Sequence, residues 1–393
     1  MTTKFTFRRE RDGRFPACPI DYLDQSLFLT LASMKTAVNF SRKIAPFLLV
    51  ALSLGNSVTA AEDRPNDSGA KTGSAAEIDI SSIQPHRDPI NDAIYEFRVT
   101  VRRLYNQRQF DELDKIAKEI LTSKEIFDNG SWKIMQFYGA FEPREDEPES
   151  MWKLHEEIHR DWLKTQPDSL AAHVSFVDFL AQYAWHARGS DYAEKVTEEG
   201  WKLFQERLNL AGEMIKKTKA LENRDPVLPN AALRVALGQG LPKEFYETLL
   251  REAHQVEPRY WGYDVSYTYY LLPRWHGKPG EWETYAKTAS AREGGPGKEI
   301  YARIVLNLDQ YYDNIFEESE ADWQTTKEGL TMLIQKHPKS VEFPNAAALL
   351  AAKAQDRDYA STLFDIIGDR YFHRVWRSPE LFAQVRQWAK TKE

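Results

Sequence analysis

Two histidines and a glutamate in the segment MWKLHEEIHRDW (151–162) have the types and spacing of a zinc hydrolase motif. The pattern H-E-x-x-H places His155 and His159 about one helical turn apart, so both imidazoles could reach one metal ion. Glu156 would then serve as the general base of a hydrolytic reaction. The segment therefore raises the hypothesis of a zinc metallohydrolase.

The residues around this motif argue against zinc. Glu157 and Arg160 would place charges beside the metal ion, and no H-x-x-G-x-x-H continuation follows His159. A chain with nine histidines and many glutamates can produce the pattern by chance, and a motif counts only when its context supports it. The favoured interpretation is that His155 fills a core position while His159 and Glu156 face solvent. No cofactor is then expected.

A second set of residues could bind a ligand without catalysis. The segment YWGYDVSYTYYLLPRWHGKPGEW (260–282) is the densest aromatic part of the chain, and AWHARG (184–189) carries a tryptophan and an arginine beside a glycine turn. Aromatic faces can stack on sugar rings or grip a peptide, and guanidinium groups hold carboxylates. The candidate binding residues are Trp185, Arg188, Trp261, Tyr263, Arg274 and Trp275. In the competing interpretation, the rings are spacers between helical layers and Arg188 caps helix carbonyls.

The elements that carry these residues are predicted to be helices. From Pro89 onward apolar residues recur with helical spacing, and no segment alternates as a strand does. Proline steps end several predicted helices, at 164–169, 255–260 and 335–340. The alanine-rich pair Pro344–Gln355 and Asp358–Ile367 is similar to a tetratricopeptide hairpin. The sequence thus predicts an all-α fold, an α-solenoid of tetratricopeptide-like helical hairpins over residues 89–393.

The residues before this region predict export. A basic stretch, an apolar run over Ile44–Leu54 and small residues up to Ala60 make residues 34–60 a signal peptide, with cleavage near Ala60. The apolar run is too short to span a bilayer, so no stable membrane anchor is expected. Residues 1–33 are interpreted as an over-extended start, and the polar residues 61–88 as a disordered linker. The predicted location is the periplasm or the cell exterior.

Composition limits the partners. The chain has 52 basic and 59 acidic residues and a net charge of −7, and the part after residue 60 is more acidic still. No positive field is present to attract nucleic acid or anionic lipid. The one cysteine, Cys18, precedes the signal peptide, so the exported chain is expected to form no disulfide. A protein or peptide ligand, or a cell-wall glycan, fits this balance better.

Two segments resemble a bacterial family that is known only as a domain of unknown function. They are PDSLAAHVSFVDFLAQYAWHARGSDYAEKVTEEGWKLFQERL (167–208) and YYLLPRWHGKPGEWETYA (269–286), and the resemblance covers residues 150–300. Members of that family are helical, tetratricopeptide-like and often exported. The resemblance implies the fold class and a bacterial source, but no activity.

These observations predict a non-enzymatic binding or scaffolding module that holds a protein or peptide. Extended helical arrays present surfaces for such ligands, and the sequence carries no P-loop or G-x-S-x-G motif. Two alternatives stay open. One is the zinc metallohydrolase, and the other is a glycan-active or glycan-binding helical protein that would use Asp264, Glu281 or Glu283 among the aromatic residues.

Overall fold

The computed structural model describes residue 80 and residues 83–144, 146–189, 193–221 and 224–391. The predicted over-extended start (1–33) and the predicted signal peptide (34–60) lie outside these residues. Most of the predicted linker (61–88) does as well.

The described part of the chain is all-α, as the sequence predicts. Its extended backbone pairs only in isolated bridges, and the described residues form no strand. Short 3-10 turns cover Ala193–Lys195 and Asp309–Tyr311. The described α-helices are α1 (Pro89–Asn106), α2 (Phe110–Ser123), α3 (Lys133–Gly139), α4 (Glu149–Thr165), α5 (Leu170–Arg188), α6 (Glu198–Lys219), α7 (Val227–Gly238), α8 (Lys243–Val256), α9 (Gly262–Tyr270), α10 (Glu281–Ser290), α11 (Glu299–Leu308), α12 (Ile315–Glu318), α13 (Trp323–Lys336), α14 (Glu342–Lys353), α15 (Arg357–Ile367), α16 (His373–Trp376) and α17 (Pro379–Lys390).

Short polar side chains fix many of the helix starts. Each accepts a hydrogen bond from a backbone N–H of the first turn, which has no partner inside the helix. These capping residues are Asp88, Ser169, Thr197, Asn314, Asp322, Asp356 and Ser378. Pro89 and Pro379 stand in the first turn of their helices, where no N–H is needed.

Helices that follow each other in the sequence pack against each other. The most extensive contacts join α5 with α6, α14 with α15, and α11 with α13. The helices α5, α7, α9 and α11 also contact one another in succession, so they form an inner row. The predicted alanine-rich pair at 344–367 corresponds to α14 and α15, whose alanines are buried between them.

The N-terminal helices cross this row instead of extending it. At its start α1 lies near α14, since the backbone of Val341, just before α14, interacts with the carboxyl group of the capping residue Asp88. At its last turn α1 reaches α4, where the Tyr105 hydroxyl donates to the carbonyl of His155 at 3.0 Å. Helix α1 therefore connects one end of the array to the other.

The loop after α2 also contacts residues from later parts of the chain. Lys124 forms an ion pair with Glu257 at 2.7 Å, and Asp128 forms one with Lys339 at 2.9 Å. Two residues after Asp128, the carbonyl of Gly130 accepts from the indole N–H of Trp261 at 3.2 Å. This loop, Lys124–Trp132, thus contacts residues that lie more than a hundred positions further along the chain.

The segment just before α1 contacts the C-terminal region. Ile83 is buried, Pro85 forms a parallel bridge with Tyr371, and the backbone N–H of His86 donates to the carbonyl of Tyr371 at 2.8 Å. We call this contact of 83–88 with Tyr371 the N-terminal tie. The prediction of a disordered linker over 61–88 is therefore wrong for residues 83–88, because a buried isoleucine and paired backbone groups order this part.

Aromatic side chains supply much of the core. The largest fully buried side chains include those of Trp162, Trp282 and Trp376, which lie on α4, α10 and α16. Large rings bury much apolar area. No helix in the described ranges is long and apolar enough to cross a bilayer.

A close helix contact at Gly329 gives a first prediction. A β-carbon at this position of α13 would lie 2.3 Å from the carbonyl oxygen of Lys298 and 2.8 Å from the β-carbon of Ala302. We expect Gly329→Ala to lower the free energy of unfolding by about 1–3 kcal/mol, because neither contact can move without displacing α11. Urea unfolding followed by circular dichroism measures this change.

The matched control is Gly212→Ala in α6. The nearest atom to a β-carbon there is 3.8 Å away, so the helix gains about 0.5–1 kcal/mol from the better helix former. A stabilising effect at both glycines would contradict the close contact of α13 with α11.

Candidate functional site

The end of α5 presents two of the predicted binding residues. Ser169 starts this helix, and Gly189 ends it with φ of 73°, a conformation that favours glycine. Trp185 and Arg188 therefore stand in the last helical turn, three residues apart and on the same side of the helix. Both side chains are partly exposed.

The loop after α9 carries two more of the predicted binding residues. It is held by backbone hydrogen bonds from Trp275 and Gly277 to the carbonyl of Leu272, at 2.9 and 3.3 Å. A β-carbon on Gly277 would lie 1.8 Å from the carbonyl oxygen of Leu271, so this turn requires glycine. The turn leaves Arg274 exposed and Trp275 half-buried beside α5.

The two segments meet at their tryptophans. The ring centroids of Trp185 and Trp275 are 5.9 Å apart, with the rings at 86°, which is an edge-to-face contact. The guanidinium of Arg188 lies 5.7 Å from the ring centroids of both Trp185 and Trp201. That of Arg274 lies 5.8 Å from the ring of Trp275 and 5.1 Å from the ring of Tyr311. We name these residues the aromatic–arginine cluster: Trp185, Arg188, Trp201, Arg274, Trp275 and Tyr311.

The electrostatics of the cluster favour an anion. Burial lowers the pKa of Arg188, and the positive charge of Arg274 lowers it further, so the two guanidinium groups interact. A carboxylate within reach of both guanidinium groups would be attracted by each of them. The indole N–H groups of Trp185 and Trp275 are buried and have no hydrogen-bond partner within the described residues.

The other two predicted binding residues lie elsewhere. Trp261 is 7% exposed, and its indole donates to the loop after α2. Tyr263 is fully buried, with its ring 4.8 Å from that of Tyr260. Neither ring joins the aromatic–arginine cluster. Trp261 and Tyr263 are close in sequence to Arg274 and Trp275, but this does not bring them into the cluster, because α9 turns both rings toward the interior.

Two members of the cluster were absent from the sequence prediction. Trp201 stands on α6 three residues before Phe204, and its ring lies 5.7 Å from that of Phe204. Tyr311 comes from the 3-10 turn after α11, and its ring lies 5.5 Å from that of Tyr269. The helical spacing of Trp201 and Phe204 is a signal for Trp201. For Tyr311 the sequence carries no local signal.

The two motif histidines are both inside the protein. His155 is 3% exposed, as its predicted core position requires, but His159 is fully buried, so the prediction that it faces solvent is wrong. The ring of His159 packs against those of Phe176 and Phe179, at 5.9 and 4.9 Å between centroids. Aromatic residues of α5 cover this side of α4, and a neutral imidazole packs among them as another ring.

A cation already contacts His155. Nη1 of Arg102 donates to Nε2 of His155 at 2.8 Å, which requires a lone pair on that nitrogen. Burial, and then the charge of Arg102, lower the pKa of His155 to about 3. Burial also holds the pKa of His159 well below its usual value. Both imidazoles are therefore neutral at pH 7, and the neighbouring guanidinium opposes a zinc ion at this position.

The acidic residues that a metal site or a glycan site would need are each paired with a different residue. Glu156 forms an ion pair with Arg160 at 2.6 Å, one helical turn along the exposed side of α4. Among the residues that the structure describes, no three His, Cys, Asp or Glu side chains lie close enough to hold a metal ion. The carboxylates considered for glycan chemistry each have their own partners: Asp264 binds Arg292, Glu281 binds Lys243, and Glu283 accepts from the N–H of Glu320.

No profile of a known protein family matches the chain, and no curated protein or solved structure is significantly similar to it. The resemblance of 167–208 and 269–286 to a domain of unknown function therefore stays a prediction.

Proposed function

We propose that this chain is an exported, non-enzymatic module that binds a protein or peptide through the aromatic–arginine cluster. The observation that carries the proposal is the meeting of Arg188 and Arg274 beside Trp185 and Trp275. These residues are contributed by two segments some ninety positions apart.

The arginines specify the charged part of the ligand. A guanidinium presents parallel N–H donors that match the two oxygens of a carboxylate. Because Arg188 and Arg274 repel each other, a carboxylate between them gains from both charges. The C-terminal carboxylate of a peptide, or an acidic side chain near it, has the required shape.

The rings specify the apolar part. Trp185, Trp201 and Trp275 offer faces and edges to an apolar side chain next to the carboxylate, and rigid rings lose little entropy on binding. Rings and arginines of this kind dominate the affinity of protein interfaces.

The rest of the chain supports the same function. Residues 34–60 have the pattern of a signal peptide, which would deliver the protein to the periplasm or the cell exterior. The successive helix pairs and the inner row of α5, α7, α9 and α11 suit a tetratricopeptide-like array, which commonly presents peptide-binding surfaces.

Binding of peptides with free and amidated C-termini tests this proposal. We expect a degenerate peptide library with aromatic or aliphatic last residues to contain binders that are lost on amidation. Arg188→Gln and Arg274→Gln should each weaken the selected peptide by about 10- to 100-fold, since a charged hydrogen bond contributes about 1.5–3 kcal/mol. Isothermal titration calorimetry measures the affinities.

Arg160→Gln is the matched control, because that arginine is more than half exposed, lies outside the cluster and forms an ion pair with Glu156 on the same helix. It should leave peptide binding unchanged. Binding of cell-wall glycan strands in place of peptides would favour the glycan-binding alternative. If no peptide binds, or if binding ignores the carboxylate and both cluster arginines, the proposal is wrong.

A further inference from the structure

The loop Lys124–Trp132 contains the sequence Asn129-Gly130, which is chemically labile. Asn129 is the only asparagine in the chain that is followed by glycine. In such a pair the backbone nitrogen of the glycine can attack the side-chain amide of the asparagine, because glycine has no side chain to hinder the approach and turns freely. Asn129 is therefore the asparagine of this chain with the least hindered route to deamidation.

The packing of the loop requires glycine at the second position of this pair. Gly130 is buried and adopts φ of 75°. A β-carbon there would lie 2.5 Å from Nη2 of Arg303 and 2.6 Å from Nε2 of His337, so a larger residue would collide with both side chains. The labile pair is therefore a consequence of how closely the loop packs against α11 and the end of α13.

Hydrogen bonds hold both reacting groups in the folded loop. The N–H of Gly130 donates to the carbonyl of Phe127 at 2.8 Å, so this nitrogen has to leave that bond before it can attack. The Oδ1 atom of Asn129 accepts from the backbone N–H of Ser131 at 3.0 Å, which fixes the side-chain amide. The carbonyl of Gly130 is in turn held by the indole N–H of Trp261. The reaction therefore requires the loop to open.

We propose that Asn129 is a site of spontaneous deamidation and that opening of the loop Lys124–Trp132 sets the rate of the reaction. In the open loop the nitrogen of Gly130 gives up its proton to the solvent and forms a bond to Cγ of Asn129, and the Nδ2 group leaves as ammonia. Water then opens the resulting succinimide ring at either carbonyl, which produces aspartate or isoaspartate at position 129. The two steps together consume one water and release one ammonia.

Neither product fits the folded loop as asparagine does. Both add a negative charge next to Asp128, and isoaspartate also lengthens the backbone before Gly130 by one carbon. The carbonyl of Gly130 then moves relative to the indole N–H of Trp261, which weakens the contact of the loop with the start of α9. We expect the converted protein to have a lower Tm than the parent. This inference does not depend on the proposed peptide-binding function.

A comparison of the folded and the unfolded chain tests the proposal. The protein is kept at pH 8 in buffer and in guanidinium chloride, and its tryptic peptides are analysed by chromatography and mass spectrometry at intervals. We expect the peptide EIFDNGSWK (125–133) to convert in denaturant to its aspartate and isoaspartate forms. In buffer the conversion should be at least about tenfold slower, because a group in an ordered loop reacts only from its open state.

Two tryptophan variants separate opening of the loop from a loss of global stability. Trp261→Phe removes the hydrogen bond to Gly130 and should speed up the conversion in buffer by about 2- to 10-fold, the effect of one net hydrogen bond. Trp282→Phe is the matched control, because Trp282 is also buried and donates one hydrogen bond, to Tyr312 at 3.1 Å, but lies on α10. It should leave the rate unchanged. Circular dichroism checks that both variants are folded.

The proposal is overturned if the peptide 125–133 does not convert in guanidinium chloride, because Asn129 would then not be labile. Equal rates in buffer and in denaturant would also overturn it, and this comparison needs no variant. It fails as well if Trp261→Phe leaves the rate in buffer unchanged. If Trp282→Phe raises the rate as much as Trp261→Phe does, global unfolding and not the loop controls the reaction.

Discussion

Replacing Arg292 by methionine is expected to lower the free energy of unfolding by about 3–5 kcal/mol. Arg292 holds Asp264, which is fully buried, with two hydrogen bonds, from Nη1 to Oδ1 at 2.9 Å and from Nη2 to Oδ2 at 2.7 Å. The hydroxyl of Tyr285 also donates to Oδ1 at 2.5 Å. Without the guanidinium, a carboxylate remains in the core with no full counter-charge. Urea unfolding at pH 7, followed by tryptophan fluorescence, measures the loss.

The pKa of Asp264 explains why the loss is large. Burial raises this pKa, but the hydrogen bonds from His254 and Arg292 outweigh burial and hold it below its ordinary value. When Arg292 is absent, burial acts with less opposition, and Asp264 has to take up a proton or remain as an isolated charge. The folded state therefore loses a favourable ionised pair at neutral pH.

An exposed pair provides the control. Arg87 and Asp92 form an ion pair at 2.6 Å, but the side chain of Arg87 is 84% exposed. Arg87→Met should change the stability by less than about 1 kcal/mol, since exposed pairs contribute little. If Arg292→Met costs no more than Arg87→Met, the network around Asp264 does not stabilise the fold in the way described.

The second large effect on stability is expected at low pH. The folded pKa values of His155 and His159 lie below the usual value of 6.5, so the unfolded chain binds protons that the folded chain excludes. Stability from these histidines is therefore complete above about pH 6.5 and is lost as the pH falls toward the folded pKa, about 3 for His155. Each histidine contributes a loss of about 1.4 kcal/mol per pH unit in this window.

His159→Leu separates this effect from other titrations. The imidazole Nε2 of His159 has no hydrogen-bond partner among the described residues, so leucine removes an unsatisfied buried nitrogen and a titrating group together. We expect the variant to be at least as stable as the parent at pH 8. Below pH 6.5, the free energy of unfolding of the variant should decrease less steeply than that of the parent, by about 1.4 kcal/mol per pH unit. Urea unfolding at several pH values measures both slopes.

Phe179→Leu is the control for packing. The ring of Phe179 lies 4.9 Å from that of His159, and leucine in its place should lower the stability by the same amount at every pH. Parallel pH curves for the parent and for His159→Leu would contradict the assignment of acid sensitivity to His159.

The helix of the zinc-like motif shows what periodicity can predict. The sequence predicts a helix at the motif with His155 in a core position, and α4 (Glu149–Thr165) confirms both. It could not place His159, because that residue is polar in isolation and becomes a core residue only through the phenylalanines of α5. The width of a buried stripe depends on how many neighbouring elements cover the helix, and a single segment does not contain this information.

The aromatic–arginine cluster shows a second limit. The sequence singled out Trp185, Arg188, Arg274 and Trp275 because of their types and their places at helix ends. Trp185 and Trp275 contact each other, while Trp261 points into the protein. This arrangement depends on how α5 packs against the loop after α9. Contacts across ninety positions leave no local pattern. For the same reason the tie between residues 83–88 and Tyr371 could not be predicted.

The N-terminal tie has a consequence for how this chain can change in length. An open array of helical hairpins can gain or lose a unit at little cost, because each unit contacts only its neighbours. Here Pro85 and Tyr371 meet across 286 positions, and α1 bridges the array between them. Helices inserted between α1 and α16 would separate Tyr371 from Pro85 and break this contact. The N-terminal tie therefore restricts insertions in a way that an open helical array does not.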